Sequence, residues 1–97
     1  MYLKVHQSYR DVVAICDSEL LGKKFEEGKR QLEVTQGFFK DKEVDEKELE
    51  RLMQFYIRED ATFNIVGEKS TQIAIKVGII SKESISLIQN VPFAIVL

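Results

Sequence analysis

The run Phe63-Asn64-Ile65-Val66, leading through Gly67-Glu68-Lys69-Ser70 into an amphipathic stretch, constrains this chain more than any other segment. Strand-forming residues that pass through one glycine into a helical pattern predict a strand, a tight turn and a helix. The same residues approach a phosphate-binding loop without completing one. Such a loop needs Gly-x-x-x-x-Gly-Lys-Ser/Thr, so that backbone N–H groups close around phosphate oxygens. Aligning Lys69-Ser70 with that pattern puts Phe63 and Glu68 where the two glycines belong, and Glu68 adds negative charge where phosphate would sit.

The turn still opens a helix, and the first N–H groups of a helix, together with its dipole, attract anions. Asn64, Gly67, Lys69 and Ser70 are therefore the anion-binding candidates. Gly67 would permit close backbone approach and Lys69 would supply a cation. Arg10, Lys23 and Lys24 are secondary basic candidates. A purely structural reading of the same residues has Glu68 satisfying the helix dipole and Ser70 capping the first turn. By strand alternation Asn64 shares a face with Thr62 and Val66, opposite Phe63 and Ile65.

Composition sets the frame. Ninety-seven residues, 44% hydrophobic and 31% charged, predict a single domain over residues 1–97 with one core. No apolar run is long enough to suggest a membrane span, and the start Met1-Tyr2-Leu3-Lys4-Val5 reads as a strand rather than a signal peptide. A cytoplasmic protein without a membrane partner is the expectation. The single cysteine, Cys16, excludes an internal disulfide and a Cys-rich zinc site. With His6 the only histidine, neither a metal nor a cofactor is expected. The net charge of −2 gives no general attraction to nucleic acid, and the acidity is concentrated in residues 41–60.

Along the chain, Tyr2–His6 and Asp11–Cys16 predict a hairpin. A turn symmetric about Ser8-Tyr9 would pair Val5 with Val12 and His6 with Asp11, leaving His6 and Cys16 on opposite faces and too far apart for a nucleophile–base pair. Gln31–Thr35 alternates like a half-buried strand, whereas Lys23–Arg30 has no clear pattern. The clearest element is a helix from about Asp45 to Glu59. Asp45 suits its N-cap, and Leu49, Leu52, Met53, Tyr56 and Ile57 share one face. A second helix, about Glu68–Val77, ends at Gly78. Ser81 would cap a short third helix over Lys82–Ile88, and Asn90-Val91-Pro92 would turn into a final buried strand, Phe93–Leu97. Strands first and last, with helices in the second half, predict an α+β two-layer sandwich: a mixed β-sheet with helices packed mainly on one face.

Taken together, Cys16-Asp17-Ser18-Glu19-Leu20-Leu21-Gly22-Lys23-Lys24-Phe25, Phe63–Ser70 and the closing Val91-Pro92-Phe93-Ala94 resemble the archaeal domain-of-unknown-function family 424 over essentially the full length. The resemblance implies an archaeal single-domain α/β protein and carries no assigned activity. Two functions follow as expectations. The first is a non-enzymatic module that binds an anionic partner, RNA, a ribonucleoprotein or a nucleotide, through the Asn64–Ser70 turn. The second is a protein-interaction or homo-oligomeric scaffold without nucleic-acid contact. An enzyme has the least support, because no carboxylate spacing identifies an acid/base pair.

Overall fold

The computed structural model describes all 97 residues. Strands β1 (Tyr2–His6), β2 (Val12–Cys16), β5 (Lys42–Glu43), β6 (Thr62–Val66), β7 (Ser86–Ile88) and β8 (Val91–Val96) form a mixed sheet in the order β5-β1-β2-β6-β8-β7. Only β2 and β6 run parallel. A separate two-stranded ribbon, β3 (Lys24–Glu27) and β4 (Arg30–Glu33), lies outside this sheet. The helices are α1 (Gln36–Phe39), α2 (Glu46–Arg58) and α3 (Glu68–Lys76). The expected α+β architecture is present: α2 and α3 cover one face of the sheet.

Alternation along the central strands sorts the core into two. Val13, Ile15, Phe63 and Ile65 point to the helices and pack with Leu49, Leu52, Met53, Ile73 and Ala74. Ala14, Cys16 and Val66 point the other way and meet Val34 and Phe39, so α1 and the ribbon shield part of the second face. The two long helices follow their sequence signals, except that Ile57, expected on the apolar face of α2, is 42% exposed. Asp45 caps α2 by accepting from the Glu48 N–H at 2.9 Å. Glu48 does not reach back to complete a capping box; it pairs with Arg51 at 2.8 Å. Lys76 of α3 lies between Glu46 and Glu50 of α2, at 3.5 and 3.1 Å, and so offsets the repulsion of those like charges. The hydrogen bond to Glu50 holds the Lys76 ammonium above its usual titration range. Helix α3 ends with Gly78 in the left-handed region at φ +85°.

Three expectations require correction, and the unassigned stretch Lys23–Arg30 takes a definite structure. The loop between β1 and β2 spans five residues, Gln7–Asp11, so the hairpin pairs Val5 with Val13 and His6 with Val12. An odd loop shifts the register by one, and His6 and Cys16 therefore lie on the same face. Lys23–Arg30 contributes a strand and a turn to the ribbon, where charged residues face solvent and only Phe25 and Leu32 pack inward. The third helix is a single 3₁₀ turn, Lys82–Ser84, followed by β7.

The last correction concerns the C-terminal turn, which sits one step earlier than expected. Gln89 and Asn90 both take positive φ, 49° and 64°, the geometry of a two-residue hairpin whose twist matches its strands. Pro92 is then inside β8, tolerated because its missing N–H falls beside Gly67, whose carbonyl accepts from Thr71 instead. Strand β8 is penultimate rather than doubly covered, and Ile95 is 61% exposed. Because Asn90 occupies the left-handed region, Asn90→Gly is expected to leave the urea midpoint nearly unchanged, whereas Asn90→Val is expected to lose about 1–2 kcal/mol.

Candidate functional site

The parallel pair β2 and β6 ends in register, Cys16 opposite Val66, so the residues that follow, Asp17 and Gly67, emerge side by side. The Asp17 N–H donates to the Val66 carbonyl at 3.0 Å, extending the ladder by one rung. Its carboxylate then turns over the start of α3. Oδ2 accepts from the Lys69 N–H at 3.0 Å, and Oδ1 accepts from the Ser70 N–H at 2.8 Å and the Ser70 hydroxyl at 2.7 Å. Asp17 is 2% exposed and Ser70 is fully buried. A side chain from another strand thus caps α3 across 52 residues of sequence, using three charge-assisted hydrogen bonds at the positive end of the helix dipole.

Gly67 makes this approach possible. Its φ of +115° is outside the range of ordinary side chains, and a Cβ there would lie 2.5 and 2.6 Å from the two Asp17 oxygens. Gly67 donates to the Pro92 carbonyl at 2.8 Å, and its own carbonyl accepts from the Thr71 N–H and hydroxyl at 3.0 and 2.8 Å. The group that approaches Gly67 closely is therefore the chain's own carboxylate.

The remaining sequence-derived candidates do not converge on this point. The Lys69 side chain is exposed, takes part in no ion pair, and borders a shallow groove of about 440 Å³ between α2 and α3 that also holds Glu46, Glu68 and Lys76. Arg10 lies before β2, at the opposite end of the parallel strands, where it bonds the Asp60 carbonyl at 2.9 Å and its carboxylate at 3.3 Å. Lys24 pairs with Glu26 at 3.2 Å, and exposed Lys23 immediately precedes the ribbon on the other face of the sheet.

Asn64 has a different setting. Its side chain points away from α2 and α3 into a cleft of about 210 Å³ between β4, α1 and the β6–β8 surface. Leu32, Phe38, Phe39, Val66, Phe93 and Ile95 line that cleft, and the half-buried Asn64 amide, which bonds no group of the chain, is open to solvent there. Its face is the one alternation predicts, with Thr62 and Val66.

His6 and Cys16 stand apart on one face of the sheet. Cys16 pairs with Tyr2 and His6 with Val12, four rungs apart along the hairpin. His6 stacks on Phe38 with ring centroids 4.6 Å apart and places Nε2 2.8 Å from the Phe38 carbonyl. Burial, reinforced by the adjacent Asp17 charge, pushes the Cys16 thiol up to about 11. No three His, Cys, Asp or Glu side chains gather as metal ligands would.

Sequence reasoning missed Asp17, the residue that organises this end of the molecule. It makes no side-chain bond to the 3₁₀ turn that follows it. An aspartate placed directly after a strand is a recognisable signal only once that strand is known to lie beside the one that feeds α3.

The architecture defines a small mixed-sheet α/β domain with a buried helix-capping carboxylate, and comparison with known proteins identifies its group. The family model described as "Protein of unknown function (DUF424)" matches residues 5–97, and the chain belongs to that family. It is also similar to the crystal structure of an uncharacterized conserved protein from Methanopyrus kandleri, at 21% identity. The TM-score is 0.86, over 97% of this chain and 87% of that one, a likeness of fold. A comparison with curated proteins gave no match.

Asp17→Ala would strip acceptors from two backbone N–H groups and a buried hydroxyl, and is expected to lower unfolding free energy by at least about 2 kcal/mol in urea denaturation. Gly67→Ala is expected to lose a similar amount through strain and displacement of the carboxylate. Because the raised thiol pKa keeps Cys16 protonated at neutral and mildly alkaline pH, alkylation of the native protein at pH 8 should be slow and limited by unfolding, becoming rapid in denaturant.

Proposed function

We propose that the chain is a non-enzymatic binding module that contacts another protein through the cleft beside Asn64. The observation that carries this reading is the cleft's chemistry: a mainly apolar lining from the ribbon, α1 and the sheet, with the Asn64 amide on its sheet side and Gln31 and Glu33 on its ribbon side. Binding sites share that pattern, with mostly apolar walls and a few polar groups that set orientation. Its volume of about 210 Å³ is below the roughly 300–1,000 Å³ usual for a cofactor or drug-sized ligand. A guest of one or two side chains suits it better than a free metabolite.

The alternative, an anionic partner such as RNA or a nucleotide held by Asn64, Gly67, Lys69 and Ser70, has weaker physical support. The Lys69 and Ser70 N–H groups already donate to Asp17, and an incoming phosphate would have to displace a buried carboxylate that shares its charge. What favours it is the uncommitted Lys69 ammonium, and the two readings separate cleanly in experiment.

Affinity capture with the wild type, Asn64→Arg and Lys69→Ala is the test. On the protein-contact reading, Asn64→Arg loses the captured partner while Lys69→Ala and ribonuclease treatment leave it bound. Loss of partner with Lys69→Ala, rising salt or ribonuclease, and retention with Asn64→Arg, would transfer the function to the α3 turn.

A further inference from the structure

Next to the cleft, the sheet has an open edge. Strand β7 pairs with β8 only from Val91 to Phe93, where Ser86 is its last partner. Upstream of Ser86, Ile85 turns out of the sheet and packs half-buried against the helix-face core, with its N–H donating to the Lys82 carbonyl. Strand β8 nevertheless continues to Val96, paired on its inner side with β6. From Ala94 onward its outer side has no strand beside it.

The hydrogen-bond phase of β8 decides which groups face that edge. The Pro92 carbonyl accepts from Gly67, so position 92 bonds toward β6, and in an antiparallel ladder positions 94 and 96 do the same. The N–H and C=O of Ile95 therefore point outward. The Ile95 side chain lines the cleft at the same time. An extended segment laid along this edge would bond Ile95 through its backbone, and its residue opposite Ile95 would project to the cleft face.

Charge narrows the partner. The ribbon carries three carboxylates. Glu26 is paired with Lys24 at 3.2 Å and Glu27 with Arg30 at 3.3 Å. Glu33 forms no ion pair, because Lys24, its partner across the ribbon, is taken up by Glu26, and Glu33 is the only ionisable residue lining the cleft. A ligand backbone placed at the edge, with an apolar side chain in the cleft, would be favoured by a cation within reach of Glu33 and disfavoured by an anion.

We propose that this face takes up an extended segment of another protein by strand addition at Ile95, with a large apolar side chain entering the cleft and a neighbouring Lys or Arg meeting Glu33. The proposal rests on the protein-contact reading of the cleft and adds the mode of binding and the partner's chemistry to it. The edge is short, so affinity depends on the apolar anchor, and the backbone bonds set direction and register.

The test is selection from a display library of random short peptides on the intact chain, followed by affinity measurement of the selected peptides on four proteins. The expected peptides pair a bulky apolar residue with an adjacent basic one. On the wild type they bind; on Asn64→Arg, which obstructs the cleft, they do not. Ile95→Pro removes the outward N–H without touching the bonds to β6, and is expected to weaken binding by about tenfold or more. Glu33→Lys, an exposed change that leaves the core alone, is expected to shift the selected neighbour from basic to acidic, and this readout holds even if Ile95→Pro folds poorly.

Loss of binding with Asn64→Arg but full binding by a folded Ile95→Pro would overturn strand addition and keep the cleft. Indifference of the selected neighbours to Glu33→Lys would overturn the basic partner. Failure to select any peptide would overturn the proposal. If the chain instead self-associates in sedimentation through this edge, in a manner abolished by Ile95→Pro, the occupant is a second copy and the proposal is wrong about the partner.

Discussion

The carboxylate of Asp17 joins parts of the chain that no local interaction would hold together. It leaves β2, reaches across to the start of α3 and satisfies donors there that a helix cannot satisfy itself. Burying a charge is costly unless it is fully hydrogen-bonded, and three donors with the helix dipole supply what water no longer does. Several other features depend on this one. Gly67 must lack a side chain, the parallel strands must end in the same register, and Ser70 must present its hydroxyl inward. The junction between the only parallel strands is thus over-determined by residues from two distant segments.

That junction also explains why a near-miss to a phosphate-binding loop occurs here without a phosphate site. Both arrangements put a glycine at the end of a strand and aim the first N–H groups of a helix at negative charge. In this chain the negative charge is covalently supplied from the neighbouring strand. The geometry that invites an anion and the anion itself are encoded together, and the side chain of Lys69 is left facing solvent over the groove between α2 and α3.

How much of this was legible in the sequence varies with the range of the interaction. Helices α2 and α3 were readable because Asp45, the apolar face from Leu49 to Met53 and the terminal Gly78 act within a few residues of one another. The face of Asn64 followed from alternation alone. The register of the first hairpin was not readable, since a five-residue loop and a four-residue loop differ by one ambiguous residue, Asp11. The second ribbon strand was visible in the alternation of Gln31–Thr35, but β3 was hidden because Phe25 alone packs inward there, too few to show a period against Lys24, Glu26 and Glu27. Lys82–Ile88 was misread because a serine before a short polar run resembles a helix cap, while Gln89-Asn90, which forms the hairpin turn, lacks the glycine that usually signals one. The role of Asp17 required strand order, which no local pattern contains.

The ribbon explains why the second face of the sheet is only partly closed. Its inward residues, Phe25 and Leu32, belong with α1 to the shield over Cys16 and Val66. The Arg30 guanidinium reaches the Leu87 carbonyl, and the Gln89 N–H donates to Glu27 at 2.9 Å, so the ribbon is tied to β7 and to the turn after it. These contacts occupy the outer edge of the sheet as far as β7 extends. They do not reach Ile95, because β7 ends opposite Phe93 and the preceding residues dive toward the helices. The same short β7 that lets Ile85 join the core leaves β8 open and keeps the cleft uncovered at that end. Closing the helix-side core and exposing a segment of sheet edge are therefore two consequences of one chain path.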